Sequence, residues 1–194
     1  MSFADVLQAP TDVPLPPRVE PVSRLGLIVG YAAVFYDPAD AGTEFEVEPG
    51  VFERIMPGAF DGAVRAGGVR AMAMHRGRLT LGTARIEADA RGLRFEVPVP
   101  DSRIGRNVAR AVRSGRLTGG SFRFDGAVTR TRPEGGRSVR ELTAVGLVHV
   151  GPVRVPAYRS AACWWRPRTL TGAAVRDYDA VAHLLARAAH ELDD

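Results

Sequence analysis

Apolar residues in this chain come in short runs, and glycine, proline or polar pairs break each run before it reaches helical length, so most of the chain can only form strands. The runs are 25–35 (LGLIVGYAAVF), 69–74, 82–88, 93–99, 117–124 and 139–155. The second ends at His75 before the turn residues Arg76 and Gly77. The third and fourth are joined by ADARG, a hairpin connection. Between the last two lies the polar stretch TRTRPEGGRS, read as an excursion that separates two strands, and glycine and proline within 139–155 predict breaks or bulges. In 47–60, Pro57 blocks a continuous helix and Gly58 permits an unusual turn before a short one.

Helical spacing is confined to two places. In 103–113, Ile104, Val108, Ala111 and Val112 share a face, with Asp101 or Ser102 as N-cap and Gly115 as the stop. In 173–192, Val175, Tyr178, Val181, Leu185, Ala188 and Leu192 recur at helical spacing behind the linker RPRTLTG. Many strands with few helices predict an α+β, mainly β fold: a closed or nearly closed β-barrel decorated with helices. Five prolines between Pro10 and Pro21 mark 1–22 as an extended arm. The expected organisation is thus an arm at 1–22, one domain at 23–165, and a linker with an amphipathic helix at 166–194.

Composition excludes more than it selects. No apolar run approaches a membrane span, and the N-terminus lacks a basic region followed by an apolar core, so a cytoplasmic protein without membrane attachment is expected. The net charge of +4 raises nucleic acid as a partner. All 26 basic residues are arginine, however, scattered among 22 acidic ones rather than forming a stripe, and no specific nucleic acid is expected. The single cysteine, Cys163 beside two tryptophans, is read as packing. Neither a metal-ligand spacing nor a phosphate-binding glycine loop occurs, so no metal and no cofactor are expected.

Nucleophilic chemistry is the remaining possibility. A serine attacks a carbonyl only if a neighbouring base takes its proton, and near neutral pH that base is usually an imidazole. Of the four histidines, His183 and His190 belong to the C-terminal pattern and suit solvated or packing roles. His75 sits at a strand end, where an ordinary turn histidine would also sit. His149 lies within LVHVGPV, and period-2 alternation turns its ring to the face of Leu147, where it needs a polar partner. Ser121 follows Gly119 and Gly120, whose amides could line an oxyanion pocket, although a plain turn yields the same pair. Ser102 and Ser114 suit the two ends of a helix, and Ser138 and Ser160 lie in polar or connecting stretches.

The order of these blocks resembles the caudovirus prohead serine proteases, relatives of the herpesvirus assemblin fold. The resemblance spans most of 28–160: IVGYAAVF, FERIMPGAF, the strand ending in His75, LGTARIEADARGLRFEVPVPD, GRLTGGSFRF and RELTAVGLVHVGPVRVPAY. It implies a herpesvirus-protease-like barrel with Ser121 as nucleophile and His75 as base. In the phage proteins a glutamate usually stands where this chain has His149, whereas the assemblin type resembles a Ser-His-His arrangement that His149 would reproduce. Glu141 competes for the third role but lies eight residues upstream, about 26 Å along an extended strand. Arg76, where relatives often carry an acidic or amide residue, is expected to lower the pKa of His75. The implied partners are the major capsid protein or its scaffolding segment and, by self-association, the protease itself. The implied location is the host cytoplasm, inside the assembling procapsid. A catalytically weak assembly or scaffold factor with the same fold is the alternative.

Overall fold

The computed structural model describes residues 25–167 of the chain. The expected N-terminal arm and the C-terminal helix lie outside these residues.

Nine strands and two short α-helices follow one another: β1 (Leu27–Val34), β2 (Glu44–Glu48), β3 (Val51–Ile55), α1 (Asp61–Ala66), β4 (Val69–Met72), β5 (Thr80–Ala88), β6 (Gly92–Pro98), α2 (Arg103–Arg113), β7 (Gly119–Glu134), β8 (Arg137–Val153) and β9 (Cys163–Arg166). The fold is α+β and mainly β, as the short apolar runs predict. One sheet runs β2-β3-β8-β4-β5-β6-β1-β9, and β7 pairs along β8. Closure into a barrel is not completed. The two ends of that order, β2 and β9, do not pair with each other, and an isolated bridge between Gly119 and Ala162 links β7 back towards β9.

Burial follows from strand alternation. Ile28, Leu93, Phe95, Val97, Leu142 and Val150 are fully or almost fully buried in one core shared by the sheet and both helices. Ser102 caps α2 by accepting from the Gly105 amide at 3.0 Å, and Gly115 leaves the helix at a φ of 72° that glycine adopts without strain. The apolar face of α2 is rotated from the expected one: Val108, Ala109 and Val112 are buried, whereas Ile104 is exposed.

Two departures share one cause, and a third, at β9, has its own. The stretch TRTRPEGGRS is no excursion but the far end of the β7–β8 hairpin, turning at Gly135 and Gly136. β2 alternates in sequence (EFEVE) yet buries none of its residues, and this end of the hairpin shows no apolar alternation, because ion pairs tie the two together. Arg54, fully buried, donates to Glu44 at 2.7 Å and to both oxygens of Glu134, while Arg137 reaches back to Glu44 at 2.6 Å. Buried charges persist only when partnered in this way. β9 is too short for a pattern of its own and is fixed by pairing with β1 through Gly30↔Cys163.

Candidate active site

The three chemistry-bearing residues come from three different elements around β8. On β8, His149 is buried and pairs in register with Arg70 of β4 on one side and Arg123 of β7 on the other. Ser121, on β7, stands opposite Gly151 of β8. Ser121 and Arg123 lie two positions apart, as do His149 and Gly151, so alternation puts all four on one face of the hairpin.

His75 reaches that face by an unusual route. Strand β4 stops at Met72, and the backbone then passes through a left-handed conformation at two successive non-glycine residues, Met74 (φ 55°) and His75 (φ 53°). Each such residue costs roughly 1–3 kcal/mol and persists only where its surroundings enforce it. Gly151 makes the approach possible, because a Cβ there would lie 2.1 Å from the Met72 carbonyl oxygen. The expectation of a strand running straight into His75 is therefore corrected by a tight turn that folds the imidazole back over β7 and β8.

The outcome is a continuous polar chain. His75 Nε2 lies 2.8 Å from Ser121 Oγ, and His75 Nδ1 lies 2.7 Å from His149 Nε2. The polar partner that His149 requires on its strand face is His75. Glu141 is elsewhere, near the outer end of β8, where it accepts from Arg132 at 2.9 Å.

Burial and nearby charge shift both rings towards the neutral form. Burial lowers the pKa of His75 below its ordinary value, helped by the neighbouring His149 and by the Arg123 cation. His149 is lowered as well, again by burial first and then by Arg123 and Arg70. The cation acting on His75 is thus Arg123, which no local sequence pattern identifies, and not the adjacent Arg76, which is exposed and absent from the charges that shift the ring. A neutral His149 keeps a lone pair on Nε2 to accept the Nδ1–H of His75. That tautomer leaves His75 Nε2 free to accept from the Ser121 hydroxyl.

The paired glycines answer to packing. A Cβ at Gly120 would lie 2.0 Å from the Tyr31 carbonyl oxygen, and the Gly120 amide already donates to the Ala161 carbonyl at 3.0 Å. The Gly120 N–H, expected to line an oxyanion pocket, is thus engaged by the segment that precedes β9. Gly119 packs against Pro156. Cys163 is buried, with its thiol pKa driven upward by that burial, in keeping with a packing role. Ser160 donates to Asp40 at 2.8 Å, and Ser114 to the Ala111 carbonyl at 3.2 Å. Among the described residues no group of histidine, cysteine and carboxylate side chains could hold a metal ion, and no helix is long and apolar enough to cross a membrane.

A half-buried hydroxyl hydrogen-bonded to a neutral imidazole, itself held by a second polar group, is the equipment of a serine hydrolase acting by acyl transfer. The chain belongs to the caudovirus prohead serine protease family, whose model matches residues 18–172. No curated protein matches the chain.

Proposed function

We propose that this protein is an active serine endopeptidase with Ser121 as nucleophile, His75 as general base and then acid, and His149 as the residue that orients His75. The observation that carries this reading is the unbroken chain Ser121 Oγ to His75 Nε2 and His75 Nδ1 to His149 Nε2, at 2.8 and 2.7 Å. In the first half-reaction His75 takes the hydroxyl proton as Oγ bonds to the scissile carbonyl carbon, then returns it to the leaving amine as the C–N bond breaks. Water, deprotonated by the same ring, then releases the acyl group and restores the serine. His149 accepts from Nδ1–H throughout, holding the ring in place and sharing part of its positive charge. Of the two glycines before Ser121, Gly119 remains the candidate donor to the developing oxyanion.

Membership of the prohead protease family supports a role in capsid maturation. On this reading the substrates are the major capsid protein or its scaffolding segment and the protease itself, cut in the host cytoplasm inside the assembling procapsid. On the same reading residues 23–165 form the protease domain, and the segment 166–194 engages the shell or scaffold. The sheet is then a variant of the herpesvirus-protease-like barrel. Incubating the full chain with its capsid precursor, beside the Ser121→Ala variant, tests the assignment: cleavage by the wild type alone supports it.

A second reading, a catalytically weak or inactive assembly factor with the same fold, is favoured by one observation. His149 supplies no negative charge to stabilise a protonated His75, and Arg123 opposes that protonation further. Absence of cleavage by the wild type, with co-assembly retained, favours this reading.

A further inference from the structure

Beside Ser121 the surface opens into a cavity of about 120 Å³ that touches neither histidine. Its walls are aromatic: Phe45 from β2, Phe122 and Phe124 from β7, and Tyr158. The rings brace one another. Phe45 meets Tyr158 edge-on with centroids 4.9 Å apart, and Phe122 stacks on Phe124 at 5.7 Å. Ala157, exposed, borders the open side. The one charged lining residue, Glu53, is buried and already engaged, accepting from the Tyr158 hydroxyl at 2.8 Å and from the Arg140 guanidinium.

We propose that this cavity receives the substrate side chain of the residue whose carbonyl Ser121 attacks, and that it selects a medium-sized aliphatic group such as valine, leucine, isoleucine or methionine. The proposal rests on the hydrolase reading above. His75 must protonate the leaving amine, so the leaving side of the substrate lies towards His75 and the acyl side lies towards the flank of Ser121 that His75 does not occupy. The cavity, lined in part by Ser121 and by neither histidine, is suited to that acyl side. Its volume approaches the ~150 Å³ that accommodates a benzene ring in an apolar protein cavity, room for a branched aliphatic chain and too little for an indole or an extended arginine. Its chemistry excludes charge: Glu53 repels a carboxylate, and its own partnership with Arg140 and Tyr158 leaves a substrate cation without an unengaged counter-ion.

The test is to digest a peptide library with the full-length wild type and to read the cleavage positions by mass spectrometry, while labelling Ser121 with a small fluorophosphonate. Enrichment of aliphatic residues on the acyl side, with lysine, arginine, aspartate, glutamate and tryptophan excluded, is expected. Ala157→Leu fills the cavity from its exposed side and shifts the preference to alanine or glycine by about tenfold or more, the scale on which apolar pockets discriminate single methylenes. Phe45→Ala enlarges the cavity and admits phenylalanine. A charged residue preferred at that position, or two variant profiles identical to the wild type, overturns the proposal. Labelling of Ser121 with no preference at the acyl position overturns the pocket alone. Neither labelling nor cleavage by the wild type overturns the hydrolase reading and the pocket with it.

Discussion

Arg123 stands directly across the β7–β8 ladder from His149, two residues beyond Ser121 on the same strand. A residue close to the candidate nucleophile thus adds to burial in lowering the pKa of both imidazoles. A cation so placed makes each ring harder to protonate, and a base that stays neutral remains able to accept a proton in mildly acid solution.

The acid limb of kcat/KM should accordingly fall below pH 6.5, the ordinary histidine value. Arg123→Gln should move it upward towards that value without fully restoring it, because burial, the larger cause, is unchanged. The same shift has a consequence for stability. The unfolded chain binds protons at His75 and His149 more readily than the folded one, so stability declines as pH falls from the ordinary value to the depressed ones. A pH–rate profile of both proteins, together with denaturant midpoints at each pH, checks both statements.

His149 offers a second handle. Glutamine at 149 retains a polar group but not the imidazole that holds the His75 tautomer, and kcat should fall by about 10²-fold, at the lower end of what general acid–base catalysis contributes. Glutamate at 149 would be held ionised by Arg70 and Arg123, its partners across the two ladders. It should support at least wild-type kcat and move the acid limb upward, since a carboxylate favours protonated His75. Comparing the pH dependence of His149→Gln and His149→Glu separates charge from mere positioning.

Gly151 is required by the close approach of Met72 rather than by turn geometry. Gly151→Ala places a methyl group against the Met72 carbonyl, which belongs to backbone and cannot swing aside. Overpacking of this kind costs about 1–3 kcal/mol. Because the displaced segment carries His75, activity per folded molecule should fall as well, measured as kcat corrected for the folded fraction.

The cap of α2 provides the contrasting case. Ser102→Ala removes the side-chain acceptor for the Gly105 amide and should lower stability by about 1 kcal/mol. Since α2 contributes nothing to the Ser121–His75–His149 chain, kcat should be unchanged. Thermal unfolding and a single-substrate assay decide the matter.

Much of this was legible in the sequence because the informative residues obey local rules. Apolar runs bounded by turn residues mark β1, β5, β6 and the inner half of β8, spacing and caps mark α2, and the face of His149 follows from its neighbours in LVHVGPV. What escaped depends on contacts between distant segments. The hairpin β2–β3 and the outer half of β7–β8 lack a clear core-facing pattern because Arg54, Arg137, Glu44 and Glu134 satisfy one another across strands, and such partners are invisible until register is known. Arg123 is hidden in the same way: sequence adjacency points to Arg76, strand pairing to Arg123. The left-handed backbone at Met74 and His75 carries no glycine to announce it. The glycine pair before Ser121 suggested amide donors, whereas at Gly120 the missing side chain makes room for the Tyr31 carbonyl.

The central claim is that the Ser121 hydroxyl is activated by His75. Fluorophosphonate labelling of the full chain, followed by peptide mapping, tests it most directly across the wild type, Ser121→Ala and His75→Gln. The account predicts a single adduct on Ser121 in the wild type, none in Ser121→Ala, and labelling slowed by about 10²-fold or more in His75→Gln, the contribution expected of a positioned base. An unlabelled wild type, or equal labelling of wild type and His75→Gln, would contradict it.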